Sequence, residues 1–270
     1  MKTEYRSPLR YPGGKSRAID RILPQIPASI AEYREPFIGG GSVYFGVRSL
    51  FKSRLRYVIN DLYADVVHFW RFVRDDLDSL VATVTSFRDY YADDGRALYL
   101  FLKDEQNMRS DFDRAVRFFI MNRVTFSGVM DAGGYSQQAF EKRFTVSSID
   151  RLANLTGTLT NTDIVQGDYE PILHREGDNV FIFLDPPYFS ATESRLYGVR
   201  GELHTGFDHI RFAEVMRTCP HRWLMTYDDS PLIRDLFSFA NIVEWELQYG
   251  MNNFKQSVAA VGKELFIRNY

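Results

Sequence analysis

The chain is predicted to fold as an α/β protein, with one sheet interrupted by a mostly helical insertion at roughly residues 65–150. Three observations point there. Short apolar runs bounded by turn residues recur in the first 60 residues and again after Asp150. Between them, apolar residues repeat at three- and four-residue spacing, the signature of helices with one buried face. A length of 270 residues with 45% hydrophobic content suits one large α/β domain carrying an insertion.

Each element has its own reason. Residues 16–30 read as a short helix closed by Pro24 and Pro27. Residues 33–37 read as a strand running into Gly39-Gly40-Gly41, with a helix from about Ser42 to Leu50. Arg56-Tyr57-Val58-Ile59-Asn60 reads as a second strand, ended by Asp61. Helical patterns then cover 62–74, 76–90, 96–107 and 111–123, with Asp93-Asp94-Gly95 punctuating two of them. Thr125-Phe126-Ser127-Gly128 and Gly133-Gly134-Tyr135-Ser136 read as a loop or hairpin. Strands return near 162–166, 180–184 and 222–227. The runs near 241–249 and 258–268 alternate and are expected to pair as a terminal hairpin.

Composition narrows the classes. No apolar stretch approaches a membrane span, and Met1 to Arg6 has no apolar segment of signal-peptide type. A single cysteine, Cys219, excludes an intrachain disulfide and a multi-cysteine zinc site, so a reducing, cytoplasmic setting is expected. Residues 1–60 hold 11 Lys/Arg against 4 Asp/Glu, a net of +7, which leaves −9 for the remainder of a chain whose total is −2. Such a basic region suits a phosphate backbone as well as it suits a solvated surface.

The motif with most chemistry is Asp185-Pro186-Pro187-Tyr188, which follows the apolar run Val180 to Leu184. Pro186 ends the strand, because it lacks the ladder N–H, and it keeps Asp185 extended. A carboxylate, stiff carbonyls and a ring thus meet at the carboxyl end of a buried strand, where open α/β sheets bind ligands. Phe37-Ile38-Gly39-Gly40-Gly41 is a second candidate, with Asp61 placed to accept ribose hydroxyls. Tyr44 stands where a dinucleotide fingerprint needs its third glycine, which weakens the dinucleotide reading and leaves a nucleoside without a pyrophosphate open. Tyr11-Pro12-Gly13-Gly14-Lys15-Ser16 imitates a P-loop, but Leu9 replaces its first glycine. It is read as a loop presenting a ring and a cation. Gly167-Asp168-Tyr169 places another carboxylate and ring at a strand end.

Together these motifs resemble, in order and over most of the chain, the Dam-type DNA adenine-N6 methyltransferases. Tyr11 to Lys15, Glu35 to Ser42, Asn60-Asp61, Asn122 to Gly128, Gly167 to Tyr169, Asp185 to Tyr188 and Lys263 to Tyr270 each look like a family segment. The resemblance implies a Rossmann-like methyltransferase sheet of seven strands, mostly parallel, with one antiparallel strand near the edge. Residues 1–64 and 151–270 would form the catalytic and cofactor-binding domain, and 65–150 the target-recognition insertion. S-adenosylmethionine is the implied cofactor, without a metal, with Tyr11, Lys15, Phe37, Gly39, Gly41, Asp61, Asp168, Tyr169 and Asp185 at the matching positions. Asp185, Pro186 and Tyr188 would be catalytic, acting on an adenine flipped out of double-stranded DNA.

Arg123, Ser127, Tyr135, Ser136 and Arg195 are candidate DNA contacts, with structural roles as the alternative, and the stretch 189–206 is read as a loop closing on DNA. A monomer, or a transient dimer on DNA, is expected. His204 and His209 match no metal-ligand spacing and read as polar loop residues near DNA. Cys219 reads as a packed thiol, which disfavours cytosine-C5 chemistry. The sequence departs from the family at Ser127, where an Asn is usual, and at Asp131, near the usual position of an Arg. Arg favours guanine, whereas Asp accepts only from cytosine or adenine amino groups, so the target is expected not to be GATC. The rival readings are N4-cytosine methylation, a silent nucleic-acid-binding module and a P-loop ATPase.

Overall fold

A computed structural model describes residues 4–11, 13–128, 133–189, 206–248 and 261–270. Seven strands form one sheet: β1 (Glu32–Glu35), β2 (Arg56–Asp61), β3 (Thr162–Gln166), β4 (Val180–Leu184), β5 (Arg222–Asp228), β6 (Asn241–Gln248) and β7 (Val261–Arg268). Their order is β3-β2-β1-β4-β5-β7-β6. The first five run parallel, and β7 lies antiparallel between β5 and β6. The chain adds strands outward from β1 to β3, then starts again on the other side of β1 with β4. That reversal puts the carboxyl ends of β1 and β4 side by side, at the crevice where such sheets bind ligands.

β4 shows why the sheet is central. All five of its residues are buried. Successive side chains point to opposite faces, so Phe181 and Phe183 join one apolar cluster, while Val180, Ile182 and Leu184 join the other. Burying such side chains stabilises the fold by about 1.5–3 kcal/mol each.

The described residues contain eleven α-helices: α1 (Ile19–Ile22), α2 (Ser42–Phe51), α3 (Ala64–Asp75), α4 (Leu77–Tyr90), α5 (Gly95–Lys103), α6 (Asp111–Val124), α7 (Gln137–Arg143), α8 (Val146–Ala153), α9 (Glu170–His174), α10 (His209–Thr218) and α11 (Pro231–Leu236). The helix expected over 16–30 is instead α1 flanked by 3-10 turns at Lys15–Arg17 and Leu23–Gln25. Pro24 opens the second turn, and without an N–H it cannot extend the α ladder. The helix expected over 96–107 ends at Lys103, where the Asp104 carboxylate caps a separate 3-10 turn by accepting from Gln106 N.

α3 lies against β2 and β3, and Arg74 donates to the Thr162 carbonyl of β3 at 2.9 Å. α6 packs on α3 through Phe69, whose ring sits 5.6 Å from Phe118 and 6.0 Å from Phe119. Beyond α6, Thr125 and Tyr135 form an antiparallel bridge. α7 and α8, too short to show a clear helical period in the sequence, start on Ser136 and Thr145 caps. Among the described residues no helix is long and apolar enough to cross a membrane.

Candidate active site

A cavity of about 400 Å³ opens at the carboxyl ends of the parallel strands. Tyr11, Lys15, Phe37, Gly39, Gly41, Asp61, Asp168, Tyr169, Asp185, Pro186 and Tyr188 all line it. Five separate segments, the outermost 177 residues apart in sequence (Tyr11 to Tyr188), thus share one chamber.

One end is built around Asp185. Lys15 Nζ lies 2.7 Å from Asp185 Oδ1, and the Thr226 hydroxyl of β5 donates to the same oxygen at 2.8 Å. The described residues therefore engage only Oδ1 and leave Oδ2 to the cavity. Lys15 also donates to the Gly13 carbonyl at 3.0 Å and stands 4.6 Å above the Tyr188 ring. The P-loop-like segment thus spends its cation on a carboxylate. Tyr188 donates its hydroxyl to Glu264 Oε2 at 2.9 Å, and its ring stacks on Tyr227 at 5.8 Å. The next backbone N–H, of Phe189, donates to Asp228 Oδ1 at 3.0 Å.

The other end is built around Asp61. Its two oxygens accept from Gly39 N at 2.9 Å and Tyr63 N at 3.0 Å. Burial outweighs these bonds and pushes the carboxyl up to about 6. Asn60 donates to the carbonyls of Pro36 and Gly167, which ties the glycine loop to the loop after β3. Gly39 has φ +41°, and a Cβ there would meet the Tyr11 ring at 2.7 Å. That glycine is therefore needed by the protein's own Tyr11 ring as well as by any ligand. Tyr44, in place of a third fingerprint glycine, is buried and bonds Thr158 O and Thr162 Oγ1. At this position α2 meets its neighbours through a ring rather than by close backbone approach.

Flat apolar walls close this end. Phe37 lies 5.4 Å from Tyr169 and 5.9 Å from Phe207. Arg211 stands 5.2 Å above the Tyr169 ring and grips both oxygens of Asp168, which holds that carboxyl below its ordinary range. Glu35, at the end of β1, also faces the cavity. It accepts from the Tyr33 hydroxyl at 2.6 Å. Burial, with the nearby Asp185 charge adding, raises its carboxyl well above the ordinary carboxylate range.

Phe207, Arg211 and Thr226 belong to none of the sequence motifs, and Glu264, although inside the Lys263 to Tyr270 segment, carries no site role there. Thr226 and Glu264 sit inside ordinary strand patterns, and nothing local marks them as neighbours of Asp185 or Tyr188. Arg211 carries one weak signal, an arginine in the first turn of a helix that follows an aromatic loop.

The expected DNA contacts divide. Arg123 is buried, with its guanidinium 5.2 Å from the Phe119 ring. Its Nε and Nη2 have no hydrogen-bond partner among the described residues, and burial together with the charges of Arg151, Arg10 and Arg143 pulls its pKa down to about 9. Ser136 is buried as well and caps α7 through Ala139 N. Both side chains are thereby placed in the protein interior rather than on an open face. Tyr135 is half-buried and donates its hydroxyl to Gln137. The Ser127 side chain, Asp131 and Arg195 lie outside the described residues, as do His204 and most of the stretch 189–206. His209 is no loop residue: it is buried in the first turn of α10 and its Nδ1 bonds the Tyr227 hydroxyl. Cys219 is buried and free, with Sγ 3.6 Å from the Leu173 carbonyl. Among the described residues no group of three His, Cys, Asp or Glu is placed to hold a metal.

Comparison with known proteins agrees with this geometry. The chain is 24% identical to the type II methyltransferase M1.LlaDCHI of Lactococcus lactis subsp. cremoris, over 97% of this chain and 94% of that one. It is 25% identical to the type II methyltransferase M.CviBI of Paramecium bursaria Chlorella virus NC1A, over 97% and 98%. It is also 24% identical to the DNA adenine methylase of Haemophilus influenzae, over 69% and 65%. The family model that describes the D12 class N6 adenine-specific DNA methyltransferase matches residues 11–251, nearly the whole span from Tyr11 past β6. With that match running through every motif that lines the cavity, the chain belongs to the D12 class N6 adenine-specific DNA methyltransferases.

Proposed function

We propose that the protein moves a methyl group from S-adenosylmethionine to N6 of an adenine flipped out of double-stranded DNA. The observation that carries this reading is the single cavity, which joins the Asp61 end to the Asp185 end. We assign the sheet to the Rossmann-like methyltransferase class on its strand order and on the β1/β4 reversal. Residues 1–64 and 151–270 serve catalysis, and 65–150 read the DNA, although α3 from that stretch also covers the sheet.

The residues present suit the cofactor. Phe37, Tyr169 and Phe207 offer flat faces to a purine. Asp61, which accepts from the backbone N–H groups of Gly39 and Tyr63, retains acceptor capacity for a ribose hydroxyl. The volume is that of a site for a nucleoside-sized molecule. When bound, S-adenosylmethionine supplies an electrophilic methyl on a sulfonium, a good leaving group that requires no metal.

The chain's own part is positioning. Adenine N6 is a poor nucleophile because its lone pair is delocalised into the ring. Lys15 and Thr226 fix the Asp185 carboxylate through Oδ1. Oδ2 and the Pro186 carbonyl then accept the two N6–H bonds. Holding both hydrogens favours a pyramidal nitrogen with its lone pair directed out of the base plane, and once methylated the nitrogen would release one of those hydrogens as a proton to Asp185 or to water. Tyr188 offers its ring to the base. Orientation and fixed dipoles account for such catalysis without a covalent intermediate.

The test is incubation with labelled S-adenosylmethionine and duplex DNA, followed by identification of the modified base and sequencing of its positions. N6-methyladenine at sites other than GATC is expected, because Ser127 and Asp131 replace the usual Asn and Arg. Label on cytosine, or no transfer, overturns the reaction. Modification confined to GATC overturns only the target assignment.

A further inference from the structure

Glu264 lies in the middle of β7, fully buried, with its side chain at the catalytic end of the cavity. One of its bonds is to the hydroxyl of Tyr188, at 2.9 Å. That ring lines the cavity, stacks on Tyr227 and lies under the Lys15 ammonium. Directly across the ladder, Asp228 is the registered partner of Glu264, and it accepts from the N–H of Phe189 at 3.0 Å. Two carboxylates paired across β5 and β7 thus hold two consecutive residues at the end of the catalytic motif, one by its side chain and one by its backbone.

We propose that Glu264 is a positioning residue for methyl transfer: its carboxylate holds the Tyr188 phenol so that the ring plane is set before the target base arrives. A hydrogen bond at the phenol oxygen restrains the ring's two torsions at its far end. A ring already held in place loses little freedom when a base stacks on it. Asp228 holds the next backbone N–H, which restrains a shift of the chain at Phe189. The inference rests on the reading of Tyr188 as the ring that receives the base.

The test is a double-mutant cycle on the whole chain, assayed on duplex DNA carrying the mapped target. kcat and both KM values are measured, together with the fluorescence of 2-aminopurine substituted for the target adenine. Glu264→Ala is expected to lower kcat by about 10- to 100-fold and to weaken the 2-aminopurine signal, with the cofactor KM unchanged. Glu264→Gln, whose amide oxygen still accepts the phenol proton, recovers most of the rate. Tyr188→Phe keeps the ring and loses the bond, so it shows a loss like that of Glu264→Ala. Adding Glu264→Ala to Tyr188→Phe then changes kcat by no more than about twofold.

Wild-type turnover in Tyr188→Phe overturns the proposal, even if Glu264→Ala does not fold. So does a full additional loss in the double variant, or an effect confined to the cofactor KM. A wild-type protein that transfers no methyl group overturns the reaction itself, and this assignment with it.

Discussion

Two ion pairs in this molecule have the same length and opposite uses. Lys15–Asp185 at the sheet edge and Arg117–Asp65 between α6 and α3 both close at 2.7 Å. The cationic partners are equally buried, at 5% and 4% side-chain exposure. The carboxylates are not: Asp65 is 6% exposed and Asp185 is 21%. Asp65 is enclosed, with Arg117 also bonded to the Leu102 carbonyl and Arg114 approaching from the side. Asp185 has a described bond on one oxygen only, and the rest of the group faces the cavity. The residue types and the separation do not reveal the role of a buried pair. What the unbonded part of the carboxylate faces does.

Removing one partner from each pair is the strongest way to break the comparison. Arg117→Ala leaves Asp65 buried without its main counter-charge and is expected to lower stability by about 3–5 kcal/mol. Thermal or denaturant unfolding measures that loss, and kcat per folded molecule stays at the wild-type level. Asp185→Asn is expected to do the reverse. Methyl transfer falls roughly 10²–10³-fold, about 3–4 kcal/mol of transition-state stabilisation, while the amide oxygen still accepts from Lys15 and Thr226 and the melting temperature moves less than in Arg117→Ala. Near-wild-type turnover in Asp185→Asn, or an undisturbed melting curve in Arg117→Ala, removes the distinction drawn between the pairs.

A smaller effect sharpens the picture at the other end of the cavity. The Asp61 carboxyl is raised to about 6 by burial. Its proton is therefore held more tightly in the folded chain than in the unfolded one. The corresponding stabilisation is fully present below the ordinary aspartate range and is lost as pH rises through about 6. Acceptance of ribose hydroxyls has the opposite trend, because the ionised form is the better acceptor. Cofactor affinity is expected to fall by roughly tenfold between about pH 7.5 and pH 5. Asp61→Asn, measured by calorimetry in the same window, flattens that dependence and separates Asp61 from the neighbouring Glu35.

Much of the cavity wall is legible in the sequence, because its signals are local. A five-residue apolar run followed by Asp-Pro can hardly be anything but a buried strand with a sharp end, and β4 does end at Leu184. The glycine run and the acid closing β2 are legible for the same reason. Other features depend on packing. Arginine in a helix reads as surface, yet Arg123 is buried beside Phe119. His209 reads as a loop residue, yet the first turn of α10 carries it into the core. Three consecutive glycines read as room for a ligand, and one of them is also filled by Tyr11, which comes from 28 residues earlier.

The sequence by itself determined the local events: which runs become strands, where proline and glycine end them, and which polar groups stand at those ends. Backbone sterics, hydrophobic periodicity and turn chemistry act over a few residues, so they are written in neighbouring letters. The packing of whole faces settled that β4 returns to the far side of β1, and that β7 pairs with β5 in the register it has. The first choice joins the Asp61 and Asp185 ends in one chamber. The second brings Glu264 to Tyr188 and aligns it with Asp228. Strand order and register follow from how whole faces bury against each other, and no short stretch of sequence carries that information.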